Sequence, residues 1–345
     1  MDNKVSAFSR LKNVLKSEPS SDFIGSGFSP AHITGIFHIQ NTDPDPLKCG
    51  SRGLGFCLEA GVATIVMVKK TKQQELNVYF NGQLISGETT KTAIFNLIGE
   101  QKFEINVLSI SDLLPSQGFG LSGAGALSTV IALNSALGLG KTFGELVNAA
   151  HIAEIQNHTG LGDVMAQATG GVVFRKQSGG FNFGKVERLN ISPPGDQVTI
   201  CVLGQKLSTK SIITDPKHIN NINQIAAKIM VDALNSKSGT DSALFIPDTF
   251  LDFVKLSYSF ASATGLMDPR VNELIQLIHN SSAGFASMIM LGNSIFAVGD
   301  SKKLETICHD FGTVIHCKLS KNGAHLTELS DLKSLKVTKP AKPKE

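Results

Sequence analysis

From Leu113 to Gly140 the chain carries no charged residue, and its first part, Pro115–Gly125 (PSQGFGLSGAG), is mostly glycine and other small residues. Few folds accommodate such a run. It is long enough to span a bilayer, but Pro115, Ser116, Gln117, Asn134 and the glycines leave its apolar content too low, so a buried soluble segment is expected. Apolar residues at 127, 130, 131, 133 and 137 suit a largely buried helix over Ala126–Leu137. A glycine loop feeding a helix start has two uses. The free N–H groups and the helix dipole make an anion site, and Ser122 adds a hydroxyl that can meet a phosphate oxygen or Mg²⁺. Alternatively, the small residues only let the helix pack tightly. The residues alone leave the two readings equally open.

The rest of the composition narrows the class. A length of 345 residues allows one large domain or two ordinary ones, and 41% hydrophobic residues can fill a sizeable core. Of 33 glycines, 21 fall in two windows, Gly25–Gly61 and Gly118–Gly184, where the backbone must turn sharply or approach something closely. The net charge of +3 belongs to the end of the chain, since Lys333–Glu345 carries five Lys against one Glu. The remainder is near neutral, has no Trp and shows no basic face, so nucleic acid is not an expected partner. Five Cys without C-x-x-C spacing argue for a reducing cytoplasm rather than a disulfide framework. The first 22 residues lack an apolar core for a leader and read as a polar extension, with one short helix around Phe8–Leu15.

Hydrophobic patterning predicts an α+β chain in two domains, 23–192 and 197–325, flanked by the extension (1–22) and a disordered Lys-rich tail (333–345). In the first domain, strands are expected at Ser26–Phe37, Gly55–Lys69, Glu75–Phe80, Phe103–Ile110 and Gly171–Arg175. Helices are expected at Thr89–Ile98, Ala126–Leu137 and Thr142–Gln156, the last with Thr142 and Glu145 as a capping box. Asn190–Asp196 (NISPPGD) marks the boundary. Beyond it the order reads strand, three helices, a hairpin turning at Gly292-Asn293, a helix at Lys302–Phe311 and a strand at Thr313–Leu319.

Three motifs are decoys. Gly118-Phe119-Gly120-Leu121-Ser122-Gly123 fits a dinucleotide fingerprint, yet no charge follows until Lys141 where an acid should bind ribose. Gly140-Lys141-Thr142 imitates the end of a P-loop but follows a helix and has Ser135 in place of the first glycine. Cys308-His309 and His316-Cys317 suggest zinc, but neighbours on a strand face opposite ways.

Four segments, in order, resemble the galactokinase, homoserine kinase, mevalonate kinase and phosphomevalonate kinase (GHMP) superfamily. Pro115–Ala126 is similar to its phosphate loop, Phe28–Phe37 to its N-terminal motif, Glu154 with Thr159–Asp163 to its helix glutamate and G-x-x-D loop, and Ser281–Gly292 to its late glycine motif. Within the superfamily, Asp45–Gly55, Gly118–Leu127, Ala150–Glu154 and Ser287–Ala297 resemble the archaeal pantoate kinases. Leu121, Ala31 and Cys49 depart from the superfamily pattern, and the late motif lacks its G-x-G-G core.

The resemblance implies a ribosomal S5 domain 2-like N-terminal domain and a ferredoxin-like C-terminal one, with ATP and substrate meeting between them. It implies Mg²⁺-dependent phosphorylation of pantoate to 4-phosphopantoate for coenzyme A synthesis. The alternatives are mevalonate, shikimate or homoserine as substrate, or a non-catalytic nucleotide or metabolite binder. Gly118, Gly120, Leu121, Ser122, Gly123 and Ala124 would hold ATP, Ser122 and Glu154 the Mg²⁺, and Asp163 the accepting hydroxyl. Read without the family, Asp163 is better explained as a helix cap. For the anionic substrate, the candidates are His32, Lys48, Ser51, Arg52 and Arg175. His32 could equally be a hydrogen-bonded, half-buried residue, and Lys48 a solvated loop charge. A homodimer is left open, and no membrane partner is expected.

Overall fold

The computed structural model describes residues 21–204, 209–235 and 246–328. The Lys-rich tail, the helix expected at Phe8–Leu15 and all but the last two residues of the polar extension lie outside them.

Two long strands organise the first half. β1 (Phe23–Gln40) and β2 (Gly50–Lys70) pair antiparallel along almost their whole length, with register shifts at Pro30/Ala31 and Thr34/Ile36. Pro30 has no N–H to give the ladder, and a bulge beside it accommodates the loss. β3 (Glu75–Phe80), β4 (Gln83–Ile85), β5 (Phe103–Ile110), β6 (Val172–Gln177) and β7 (Lys185–Leu189) complete most of an eight-stranded sheet. β12 (His325–Leu326) closes its edge, antiparallel to β1. β3 lies parallel to β5, while β6 extends the Gly53–Phe56 half of β2.

Three helices cover this sheet: α1 (Glu88–Ile98), α2 (Leu121–Leu137) and α3 (Phe143–Asn157). The short α4 (Asp163–Thr169) precedes β6. α2 lies so close to β1 that a Cβ on Gly25 would stand 2.1 Å from the Ala132 carbonyl. Part of the first glycine window therefore serves helix-on-sheet packing rather than a ligand. α3 begins with the expected capping box, Thr142 and Glu145 each satisfying the other's backbone N–H.

At the 3₁₀ turn Pro194–Asp196 the chain switches to a second sheet, ordered β11-β8-β10-β9. It contains β8 (Gln197–Val202), β9 (Gly284–Met288), β10 (Ser294–Gly299) and β11 (Thr313–Lys318). Its helices are α5 (Thr209–Ile213), α6 (Pro216–Asn235), α7 (Phe250–Thr264), α8 (Pro269–Asn280) and α9 (Ser301–His309). The halves share a core. Phe56 of β2 meets Phe250 and Phe296 with ring centroids 5.3 and 5.2 Å apart, and Asn223 of α6 bonds both the N–H and the carbonyl of Ile39.

Two expectations are corrected. α2 starts at Leu121, not Ala126, because left-handed Gly120 (φ 61°) already turns the chain into the helix. The β9–β10 connection spans residues 289–293 rather than two residues, with Leu291 at φ 63°. The short β4, β7, α5 and β12 had no readable signal, being two to five residues long and held by their neighbours. No helix among the described residues is long and apolar enough to cross a membrane.

Candidate active site

A cavity of about 760 Å³ opens where the two sheets meet. Its floor is the glycine segment: Gly118, Phe119, Gly120, Leu121, Ser122 and Gly125 all line it. Gly118 (φ 82°) and Gly120 (φ 61°) take the left-handed backbone that keeps this loop tight. The first N–H groups of α2 have no partner within the helix and give the cavity a positive end. Gly123 and the buried Ala124 do not line the cavity; they lie behind it.

The second sheet holds this loop in place. Ser294 Oγ donates to the buried Gln117 Oε1 at 3.1 Å, and Gly292 sits against the Gln117 carbonyl, where a Cβ would come within 2.1 Å. The late glycine motif is thus a support for the loop, while Met290 and Leu291 reach the cavity.

Glu154, on α3, is 1% exposed. Its carboxylate is wedged between α2 and the loop before Asp163, with Oε2 at 2.8 Å from a Cβ built on Gly123 and 2.5 Å from one on Gly160. Thr159 Oγ1 donates to Oε1 at 3.4 Å. Burial, and next the charge of Asp163, push the Glu154 carboxyl well above the usual carboxylate range. One turn earlier, the buried His151 Nε2 meets the Cys49 carbonyl at 3.0 Å and ties α3 to the start of β2.

Asp163 opens α4 and lines the cavity. It is not the cap of that helix: Gly162 holds the N-cap position and no side chain caps it. Instead Asp163 Oδ1 lies 2.6 Å from His32 Nδ1. His32 is fully buried on β1, and its Nε2 faces Arg175 Nη1 at 3.2 Å. Arg175, on β6 and 2% exposed, also points Nε at the Ser51 carbonyl, 3.4 Å away. Burial lowers the His32 pKa, against the hydrogen bond and charge of Asp163. Burial lowers that of Arg175 too, with Asp163 opposing.

The row Asp163, His32, Arg175 and Ser51 leaves no spare room. A Cβ on Gly55 would fall 2.3 Å from His32 Nε2. Gly55→Ala is expected to destabilise the protein by about 2 kcal/mol through overpacking and to reduce turnover; thermal melting and steady-state rates check both.

Of the residues expected to meet substrate, Ser51 lines the cavity, while Arg175 and His32 lie buried beneath Asp163. Lys48 and Arg52 are not brought there. Lys48 is exposed with its Nζ 5.8 Å from the Phe183 ring centroid. Arg52 follows Ser51 in an extended strand and so faces the other way, opposite His38 of β1. Lys210 of α5 went unread: it is the one Lys or Arg among the described residues that lines the cavity. Also unread were Val78, Phe80 and Ile85, the apolar wall at the other end, and the Ser86–Thr90 segment beside it.

Residues 88–171 match the GHMP kinases N terminal domain. The pantoate kinase of Methanocaldococcus jannaschii is 30% identical over 296 residues, covering 85% of this chain and 99% of that one. The chain belongs to the pantoate kinase family. The pantoate kinase of Thermococcus kodakarensis is 29% identical over 81% of this chain and 88% of its own length. A solved structure described as a phosphotransferase related to the CoA biosynthesis pathway superposes with a TM-score of 0.75 at 26% identity, covering 89% of this chain and 99% of that one. Homoserine kinase from Cytophaga hutchinsonii shares the fold, with a TM-score of 0.63 and 17% identity over 89% of this chain and 98% of its own. As a GHMP kinase the chain acts on a small molecule with ATP, and the two-sheet α+β architecture is that of the family.

Proposed function

We propose that this kinase transfers the γ-phosphoryl group of ATP to the primary hydroxyl of pantoate, giving 4-phosphopantoate on a route to coenzyme A. The observation that carries the reading is the meeting of loop and carboxylate. A Cβ on Gly120 would stand 3.0 Å from Asp163 Cγ, so phosphates seated on the glycine loop lie beside the group that receives the attacking alcohol.

Phosphoryl transfer asks the protein mainly to position the reactants and neutralise charge. The first turn of α2 takes the phosphates, with the Ser122 hydroxyl among them. Asp163 accepts the hydrogen bond of the substrate hydroxyl and takes its proton as the new O–P bond forms and the bond to ADP breaks. Adenine suits the apolar wall of Val78, Phe80 and Ile85.

The donor set fits Mg²⁺. Glu154 is a buried carboxylate near a second acid, and among the described residues no Lys or Arg pairs with it. Such a group needs a proton or a hard cation, and the Ser122 hydroxyl is a fitting second oxygen ligand. Bound there, the ion would neutralise phosphate charge. The five buried free thiols fit a reducing cytoplasm.

The acceptor end suits a branched hydroxy acid. Phe37, Leu161, Met290 and Leu291 offer apolar surface for geminal methyls, Thr34 and Ser51 offer hydroxyls, and Lys210 offers the cation for a carboxylate. Lys210→Met is expected to raise KM for pantoate about 10- to 100-fold, the worth of one charge-assisted hydrogen bond. Melting temperature should stay unchanged, because the side chain is exposed.

ADP release measured across pantoate, mevalonate, homoserine and shikimate tests the reading. Turnover with pantoate alone is expected. ATP binding without pantoate turnover would overturn it.

A further inference from the structure

The buried contact between Asp163, His32 and Arg175 fixes where one proton sits. Arg175 Nη1 can only donate, and it faces His32 Nε2 at 3.2 Å. Nε2 must therefore carry the lone pair, which leaves the imidazole proton on Nδ1. That nitrogen lies 2.6 Å from Asp163 Oδ1 and donates to it; Thr34 Oγ1 stands farther off, at 3.5 Å. The other neutral tautomer would set two N–H groups against each other at Arg175 and two lone pairs against each other at Asp163. An imidazolium would keep the first of these conflicts.

We propose that His32 is a positioning residue for Asp163: its neutral Nδ1–H form, imposed by Arg175, engages Oδ1 and leaves Oδ2 to receive the substrate hydroxyl. The role of Asp163 in this statement rests on the kinase reading above. His32 is fully buried and does not line the cavity, so it acts through Asp163 and not on the substrate. Burial also favours the neutral ring. Arg175 is in turn anchored on the Ser51 carbonyl by Nε, so the carboxylate's direction is set from strand β6, two hydrogen bonds away.

Two measurements decide the matter. The first is long-range ¹H–¹⁵N NMR of the His32 ring in the free full-length protein, which needs no substrate. The Nδ1–H tautomer is expected at neutral pH; an Nε2–H ring or an imidazolium would overturn the proposal. The second compares two amides. In His32→Asn the side-chain NH₂ takes the place of Nδ1, whereas in His32→Gln it takes that of Nε2. Asn should keep kcat within about tenfold of wild type, while Gln should lower it about 100-fold, the scale of a misaligned reacting group. KM for ATP should hold within about twofold in both variants. Equal losses in the two variants, or none in His32→Gln, would overturn the role. Failure of the wild type to phosphorylate pantoate would instead sink the substrate reading and leave the tautomer to the NMR result.

Discussion

Replacing Asp163 by Asn is expected to cut turnover about 1,000-fold, within the range lost with a general base, while ATP binding and melting temperature stay at wild-type values. The amide oxygen of Asn still accepts the hydrogen bond that His32 now gives to Oδ1, so the local geometry survives. What disappears is the negative charge and the capacity to take a proton. Titration with a non-hydrolysable ATP analogue, set beside single-turnover rates, separates the two properties. Unchanged turnover would reduce Asp163 to a structural role at the start of α4.

Glu154→Gln is expected to move activity and stability in opposite directions. Turnover should fall about 100-fold or more, the scale for removing a charge-stabilising contact in a reacting site. Without Mg²⁺ and nucleotide, the variant should melt higher than wild type. The sign follows from the raised carboxyl pKa. An acid that holds its proton more tightly in the fold than in the unfolded chain costs stability as pH rises above its ordinary value of 4.5. Glutamine keeps the shape and has no charge to bury. The gain in melting temperature should be about 1.5 °C or more at neutral pH, the shift that about 1 kcal/mol gives in a chain of this size. It should shrink as pH is lowered toward 4.5, where wild-type Glu154 is protonated too. A variant that melts below wild type at neutral pH would mean that the charge is already compensated in the empty protein.

How much of this could be read from residues alone depended on the kind of contact. The glycine loop was legible because positive φ at Gly118 and Gly120 is a local demand that only glycine meets without strain. The capping box at Thr142 and Glu145 is local in the same way. The arginines were not. Arg52 and Arg175 both stand near glycines, and which one reaches His32 depends on strand parity. One of the two register shifts in the β1–β2 ladder, the single-residue shift at Thr34/Ile36, alters that parity, and it appears only once the strands are paired. His32 was placed among the substrate contacts, and it is instead buried between Asp163 and Arg175. Lys210 gave no signal at all, since α5 is five residues long and reaches the cavity only through tertiary packing.

The pairing of β12 with β1 has a consequence for the timing of folding. Gly27 lies against Leu326, and Ser26 Oγ bonds the Thr327 carbonyl across 301 positions of sequence. A ribosome adds about 5 to 20 residues per second, so the edge of β1 waits about 15 to 60 s for its partner. Throughout that interval a strand bearing Ile24 and Phe28 offers unpaired N–H and carbonyl groups to any neighbouring chain. Shielding of that edge during synthesis, as much as the final free energy, should therefore limit the yield of this protein. Variants cut before residue 325 should aggregate more readily than they lose the capacity to bind ATP.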